Sequence, residues 1–116
     1  MSGQATETRD ARRSSRHAPQ SPVAVVDAMS GDMLGFVIDL SAGGMKLRAV
    51  EPLVDDALYQ VQFDLTLGEL RHASIEAGMQ VVSQRPGDKG SIVGLRFIHL
   101  QGAQAQQLGA WLRLME

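Results

Sequence analysis

The sequence predicts an all-β fold with one C-terminal helix: a six-stranded antiparallel β-barrel carrying a flexible N-terminal tail. Three observations lead there. Apolar residues recur with a period of two in six runs between residues 22 and 100. The cleanest is 58–67, where Tyr59, Val61, Phe63 and Leu65 alternate with Gln60, Gln62, Asp64 and Thr66. Short segments rich in Gly, Pro and Asp join the runs, so neighbouring strands are hairpin-connected, and a sheet of this kind hides its edges by closing. The period then changes. Leu108, Trp111, Leu112 and Met115 fall at i, i+3, i+4 and i+7, the stripe of an amphipathic helix over 103–116 that packs on the barrel.

Taken in order, residues 1–21 show no hydrophobic periodicity and are dominated by Ser, Thr, Gln, Arg and Pro, a composition too polar to order unaided. The barrel and its helix occupy 22–116. The first strand is 22–29, with Val23, Val25 and Val26, and Ser30-Gly31-Asp32 turns the chain. Strands over 34–40 and 45–49 form a hairpin. Pro52 and the paired acids Asp55 and Asp56 make 51–56 a loop before the strand at 58–67. Gly68-Glu69 turns into a long strand over 70–83, with a bulge near Gly78. Residues 85–90 contain Pro86-Gly87 and Lys89-Gly90 and read as a hairpin loop. The last strand, 91–100, sets Ile92, Gly94, Arg96 and Ile98 on one face and Val93, Leu95, Phe97 and His99 on the other. Trp111 is a packing anchor, and nothing beyond Gly102 caps the helix.

Composition narrows the function. At 116 residues the chain holds one domain, and 44% hydrophobic with 21% charged residues is ordinary for a globular fold. Without cysteine there is neither a disulfide framework nor a thiolate metal site. No apolar run has the length of a membrane span, and the N-terminus lacks the apolar core of a signal peptide, so a cytoplasmic location without membrane insertion is expected. The net charge of −2 argues against binding a nucleic-acid polymer, yet it is unevenly placed. Residues 1–22 hold four arginines against Glu7 and Asp10, a balance of +2, and seven basic against eleven acidic residues leave −4 on the rest. A basic arm on an acidic body is suited to meet an anion.

No catalytic constellation emerges, and the chain is not expected to be an enzyme. His17, His72 and His99 are scattered, with no metal-ligand spacing, so neither metal nor cofactor is expected. Asp55 and Asp56 are adjacent loop acids that point apart. Ser41 has no nearby base to activate it, and Ser-Ala-Gly-Gly-Met lacks the lysine and threonine of a phosphate-binding Walker loop.

The informative stretch is Asp-Leu-Ser-Ala-Gly-Gly-Met-Lys-Leu at 39–47. Leu34, Phe36, Ile38 and Leu40 share one face of the preceding strand, so Asp39 and Ser41 project together from the other, away from the core. Gly43 and Gly44 allow positive φ and leave bare backbone at the turn. A binding surface and an ordinary hairpin, whose Asp39 and Ser41 bond their own turn, both fit this pattern. Upstream, Arg12 and Arg16 stand four apart in Arg12-Arg13-Ser14-Ser15-Arg16, and Arg9 with Arg13 forms a second such pair.

RxxxR followed about two dozen residues later by DxSxxG resembles the PilZ domain, the bacterial receptor module for cyclic di-GMP. Gly94-Leu95-Arg96-Phe97 is similar to that family's closing G-x-x-F strand, and the resemblance covers roughly residues 9–115. It implies a six-stranded barrel with a C-terminal helix, and a ligand site made by Arg12, Arg16, Asp39, Ser41 and Gly44, with Gly43 beside them and Arg13 and Arg9 as less central candidates. The chemistry is apt. Arginine's planar fork meets guanine O6 and N7 or phosphate oxygens, and a carboxylate accepts from guanine N1 and N2. The implied function is second-messenger signalling linked to motility or biofilm. Cyclic di-GMP would order the arginine tail and thereby couple to an effector protein; the alternative is a pilus or motility adaptor that works by protein contact without nucleotide.

Overall fold

Alternation along the chain translates into strands that close on themselves. In a computed structural model, which describes residues 15–116, the elements are β1 (Ala24–Asp27), β2 (Met33–Leu40), β3 (Gly44–Ala49), β4 (Leu58–Thr66), β5 (His72–Gly87), β6 (Gly90–Leu100) and α1 (Gly102–Met115). All strand pairs are antiparallel, and the order β1-β2-β3-β6-β5-β4 closes into a barrel through the pairing of β1 with β4. The interior is filled from every strand, with Val25, Leu40, Leu47, Phe63, Ile75, Met79 and Val93 among the residues sealed inside. In β4 the predicted alternation holds: Val61, Phe63 and Leu65 are buried while Gln62, Asp64 and Thr66 face water. The α1 stripe also holds, since Leu108 and Trp111 are buried against the barrel. No side chain caps its start; the Gln104 amide oxygen instead accepts from the Glu76 N–H on β5 at 2.8 Å and ties the helix to the sheet.

Three local readings change. β1 stops at Asp27, short of residue 29, because the Asp27 carboxylate accepts the N–H groups of Met29 (2.8 Å) and Ser30 (3.3 Å) and draws the chain into a turn that Gly31 completes at φ 80°. β5 runs on through Pro86 and Gly87, where a loop was expected, leaving only Asp88 and Lys89 between Gly87 and Gly90. Proline is tolerated there because the paired register of β5 with β4 ends at Gln80, so the missing N–H of Pro86 faces no second strand. The Gln84 side chain takes over that edge, accepting from Leu53 N–H (2.8 Å) and donating to Leu53 C=O (2.7 Å). The bulge expected near Gly78 is present, between Gly78 and Met79, and a second lies between Val81 and Ser83.

The third change concerns the site. A bulge between Val37 and Asp39 breaks the alternation of β2. Val37 therefore packs inward opposite Leu47, and Phe36 turns outward opposite Arg48, with 39% of its surface exposed. Of the face assigned to Leu34, Phe36, Ile38 and Leu40, Leu34 and Leu40 do pack on the core, while Phe36 does not. After the extra residue, Asp39 points outward across from Lys46, and Leu40 returns to the core opposite Met45.

Candidate functional site

The end of β2 carries Asp39, and what reaches it is the segment before β1. His17 pairs with Leu40 as an isolated antiparallel bridge: the His17 N–H donates to Leu40 C=O at 2.9 Å, and the Leu40 N–H donates to His17 C=O at 3.0 Å. Two backbone bonds thus lay residues 15–18 along the outer edge of β2. The neighbouring Arg16 comes to rest over Asp39, its Nη1 donating to Oδ1 at 2.8 Å. The two halves of the sequence pattern are brought together, 23 positions apart in the chain. Arg16 is half exposed while the Asp39 side chain keeps only 18% of its surface, so a carboxylate sits in a shallow recess under an exposed guanidinium.

Past Asp39 the chain turns through Ser41, Ala42 and Gly43. Ser41 is 3% exposed and does not project beside Asp39 as expected. Its hydroxyl accepts the Gly43 N–H and donates to the Gly44 carbonyl, both at 3.3 Å, and its own N–H also donates to Gly44 C=O at 2.9 Å. Ser41 therefore shapes the turn, whereas Asp39 bonds across to Arg16. The hairpin reading holds for one of the two residues and not for the other. Neither Gly43 nor Gly44 has positive φ, contrary to expectation. They differ in kind. A Cβ on Gly43 would meet nothing, while one on Gly44 would run into the backbone of Leu95 and Arg96 on β6. Gly44 is where β3 presses against β6, and Gly43 is an open stretch of backbone whose C=O accepts the Phe97 N–H at 2.9 Å.

Of the other candidates, Arg9, Arg12 and Arg13 lie outside the described residues. Two further cations border the turn. Lys46 lies directly across from Asp39, and Arg96 stands opposite Gly44, its Nε donating to Gln80 Oε1 at 2.9 Å. Neither was expected at the site from sequence; alternation in Gly-Met-Lys and Gly-Leu-Arg is the signal that could have put both on outward faces, and what sequence alone lacked was the β3–β6 register that sets them beside the turn. Among the described residues, no group of three or more His, Cys, Asp or Glu is arranged to hold a metal ion, and no helix is long and apolar enough to cross a membrane.

Comparison with known proteins accords with the fold. Among solved structures, the Bacillus subtilis inhibitor of motility MotI/DgrA is similar over 89% of this chain, at TM-score 0.70 and 16% identity; the chain spans half the length of that protein. The PilZ domain of Escherichia coli YcgR with cyclic di-GMP matches over 90% of both chains, at TM-score 0.63 and 18% identity. The PilZ domain of CeSA from a cellulose-synthesizing bacterium matches over 88% of this chain and 95% of its own, at TM-score 0.55 and 21% identity. No curated protein sequence matches. At these identities the likenesses establish the fold alone. The family model described as PilZ domain matches residues 10–114, nearly the whole chain, and the chain belongs to the PilZ domain family.

Proposed function

We propose that this chain is a cytoplasmic, non-enzymatic cyclic di-GMP receptor, and that the surface formed by Arg16, Asp39 and the 41–44 turn is its nucleotide site. One observation carries the proposal: the Arg16–Asp39 contact unites the two halves of the pattern in one place. The similarity to the PilZ domain of Escherichia coli YcgR, solved with cyclic di-GMP, supports the choice of ligand.

In the free protein Arg16 and Asp39 satisfy one another. An exposed pair of this kind contributes ~0–1 kcal/mol, so exchanging it for ligand contacts costs little. With ligand present, Asp39 accepts from guanine N1 and N2, while Arg16 and Arg12 turn their forks toward guanine O6 and N7 or toward phosphate. Ser41 acts by holding the turn, and Gly43 offers a wall with no side chain in the way. The segment carrying Arg12 and Arg16 closes over the ligand, and its new position, together with the barrel surface beside it, is what an effector protein reads. The likeness to a protein described as an inhibitor of motility supports a motility-linked effector.

Titration calorimetry with cyclic di-GMP tests the reading, with GTP and single-stranded DNA as controls. Saturable heat with cyclic di-GMP alone is expected, and Arg12→Ala and Arg16→Ala each remove most of it. Cyclic di-AMP presents the N6 donor of adenine where guanine presents O6, so it binds far more weakly. Absence of cyclic di-GMP binding would overturn the proposal in favour of an adaptor working by protein contact.

A further inference from the structure

The outer wall of the barrel continues from the nucleotide site toward its opposite end, and there the register builds a second basic feature. Arg48 on β3 pairs with Ile92 on β6, and Ile92 pairs with Arg85 on β5. The three side chains form one row across three adjacent strands, which sets the two arginine Cα atoms about 10 Å apart with an aliphatic floor between them. Both guanidinium groups have the reach to converge over Ile92. The two-residue turn beyond adds Lys89, and together these residues line a groove of about 580 Å³ with Pro86, Gly87 and Asp88.

The groove is held in shape. A Cβ on Gly90 would strike the backbone carbonyl of Ala49, so the hairpin tip presses on the end of β3, and Gly90 takes φ 105° to do so. A Cβ on Gly87 would lie 3.0 Å from Ile92 Cγ1, so glycine there leaves room for the isoleucine floor. Among the described residues none of the three cations is in an ion pair, although Asp88 is in the same turn. Three cations against one carboxylate leave +2 around a single groove, in a chain whose net charge is −2. Unpaired like charges gathered on one small surface repel each other and gain most from a shared anion.

The geometry points to a phosphate-binding site at the β5–β6 hairpin, formed by Arg48, Arg85 and Lys89 and suited to a doubly charged phosphate group. It goes beyond the nucleotide reading and does not depend on it. Arg48 lies four positions along β3 from Gly44, about 13 Å, so the two sites do not overlap. Two forks and an ammonium match the oxygens of a phosphate monoester or diphosphate better than a single carboxylate, and the groove admits a small molecule. The same chemistry is offered by a soluble phosphate compound and by a lipid headgroup.

The experiment follows the ¹⁵N-labelled full chain by NMR during addition of sodium pyrophosphate at constant ionic strength. Saturable shifts are expected at the amides of residues 87–92 and at the Nε–H of Arg48 and Arg85. Arg48→Ala, Arg85→Ala and Lys89→Ala each weaken binding about tenfold, equivalent to 1.4 kcal/mol. Arg48→Lys restores only part of the loss, since lysine keeps the charge without the fork. Asp39→Ala leaves the titration unchanged. A second arm sediments the protein with vesicles of phosphatidic acid, whose headgroup is a phosphate monoester, or of phosphatidylcholine. Co-sedimentation with the former that Arg85→Ala abolishes identifies a headgroup, and pyrophosphate binding without co-sedimentation identifies a soluble compound. Shifts that grow without saturation, shifts equally large at Arg71 and Arg113, or loss of the titration in Asp39→Ala would overturn the site.

Discussion

Arg16 Nη1 lies 2.8 Å from Asp39 Oδ1, and this contact exists because His17, one residue further on, is hydrogen-bonded to Leu40, one residue beyond Asp39. Each backbone bond fixes a residue adjacent to a functional side chain. The site is thus positioned by main-chain pairing, and the ion pair itself adds little.

Asp39→Ala is expected to weaken cyclic di-GMP binding by about 1.5–3 kcal/mol, the range for a hydrogen bond to a charged group. Stability changes by less than about 1 kcal/mol, because the carboxylate faces outward and its ion pair with Arg16 is half exposed. Calorimetry and urea denaturation of the same variant read the two effects separately. A large loss of stability would mean that Asp39 acts on the fold.

Replacing His17 with proline deletes the N–H that donates to Leu40 C=O. Arg16 then loses its placement, and cyclic di-GMP affinity falls by about 1 kcal/mol although no ligand-contacting group has changed. Hydrogen exchange at the Leu40 amide, whose acceptor is the His17 carbonyl, accelerates in parallel. Unchanged exchange would show that the bridge does not hold the segment.

The two turn glycines separate cleanly. Gly44→Ala drives a methyl into the backbone of β6 and costs on the order of 1–3 kcal/mol or more, while Gly43→Ala meets open space and changes stability by less than about 0.5 kcal/mol. Denaturation midpoints of the two variants check this. Equal losses would contradict the close approach at Leu95.

Ser41→Ala removes a buried hydroxyl with two hydrogen-bond partners, and about 1–3 kcal/mol of stability goes with it. Its effect on ligand follows from a loosened turn, so Ser41→Thr, which keeps the hydroxyl, recovers more binding than Ser41→Ala. The ratio of the two affinities is the measurement.

Trp111 keeps 4% of its surface, and Trp111→Ala leaves a cavity between α1 and the barrel worth about 3–5 kcal/mol. Urea denaturation of the variant should show that loss, with the far-ultraviolet helix signal reduced.

The sequence by itself determined the strand count and the closing helix, because each rests on local information, whereas the contact of Arg16 with Asp39 joins positions 23 apart and was expected only from the ordered pair of motifs. Period-two alternation in β4 and the heptad-like stripe of Leu108 and Trp111 are properties of neighbouring residues, and burial follows from them. The tertiary structure alone decided the face of β2. A single extra residue between Val37 and Asp39 turns Val37 toward the core and Phe36 away from it, and nothing in Phe-Val-Ile-Asp marks the bulge. It decided the glycine roles for a related reason: the approach of β6 to Gly44 is a contact between segments some fifty residues apart, whereas positive φ is a local guess. It also turned Ser41 inward and brought His17 to Leu40, both by hydrogen bonds whose partners are fixed only once the hairpin and the segment before β1 occupy the same edge of the barrel.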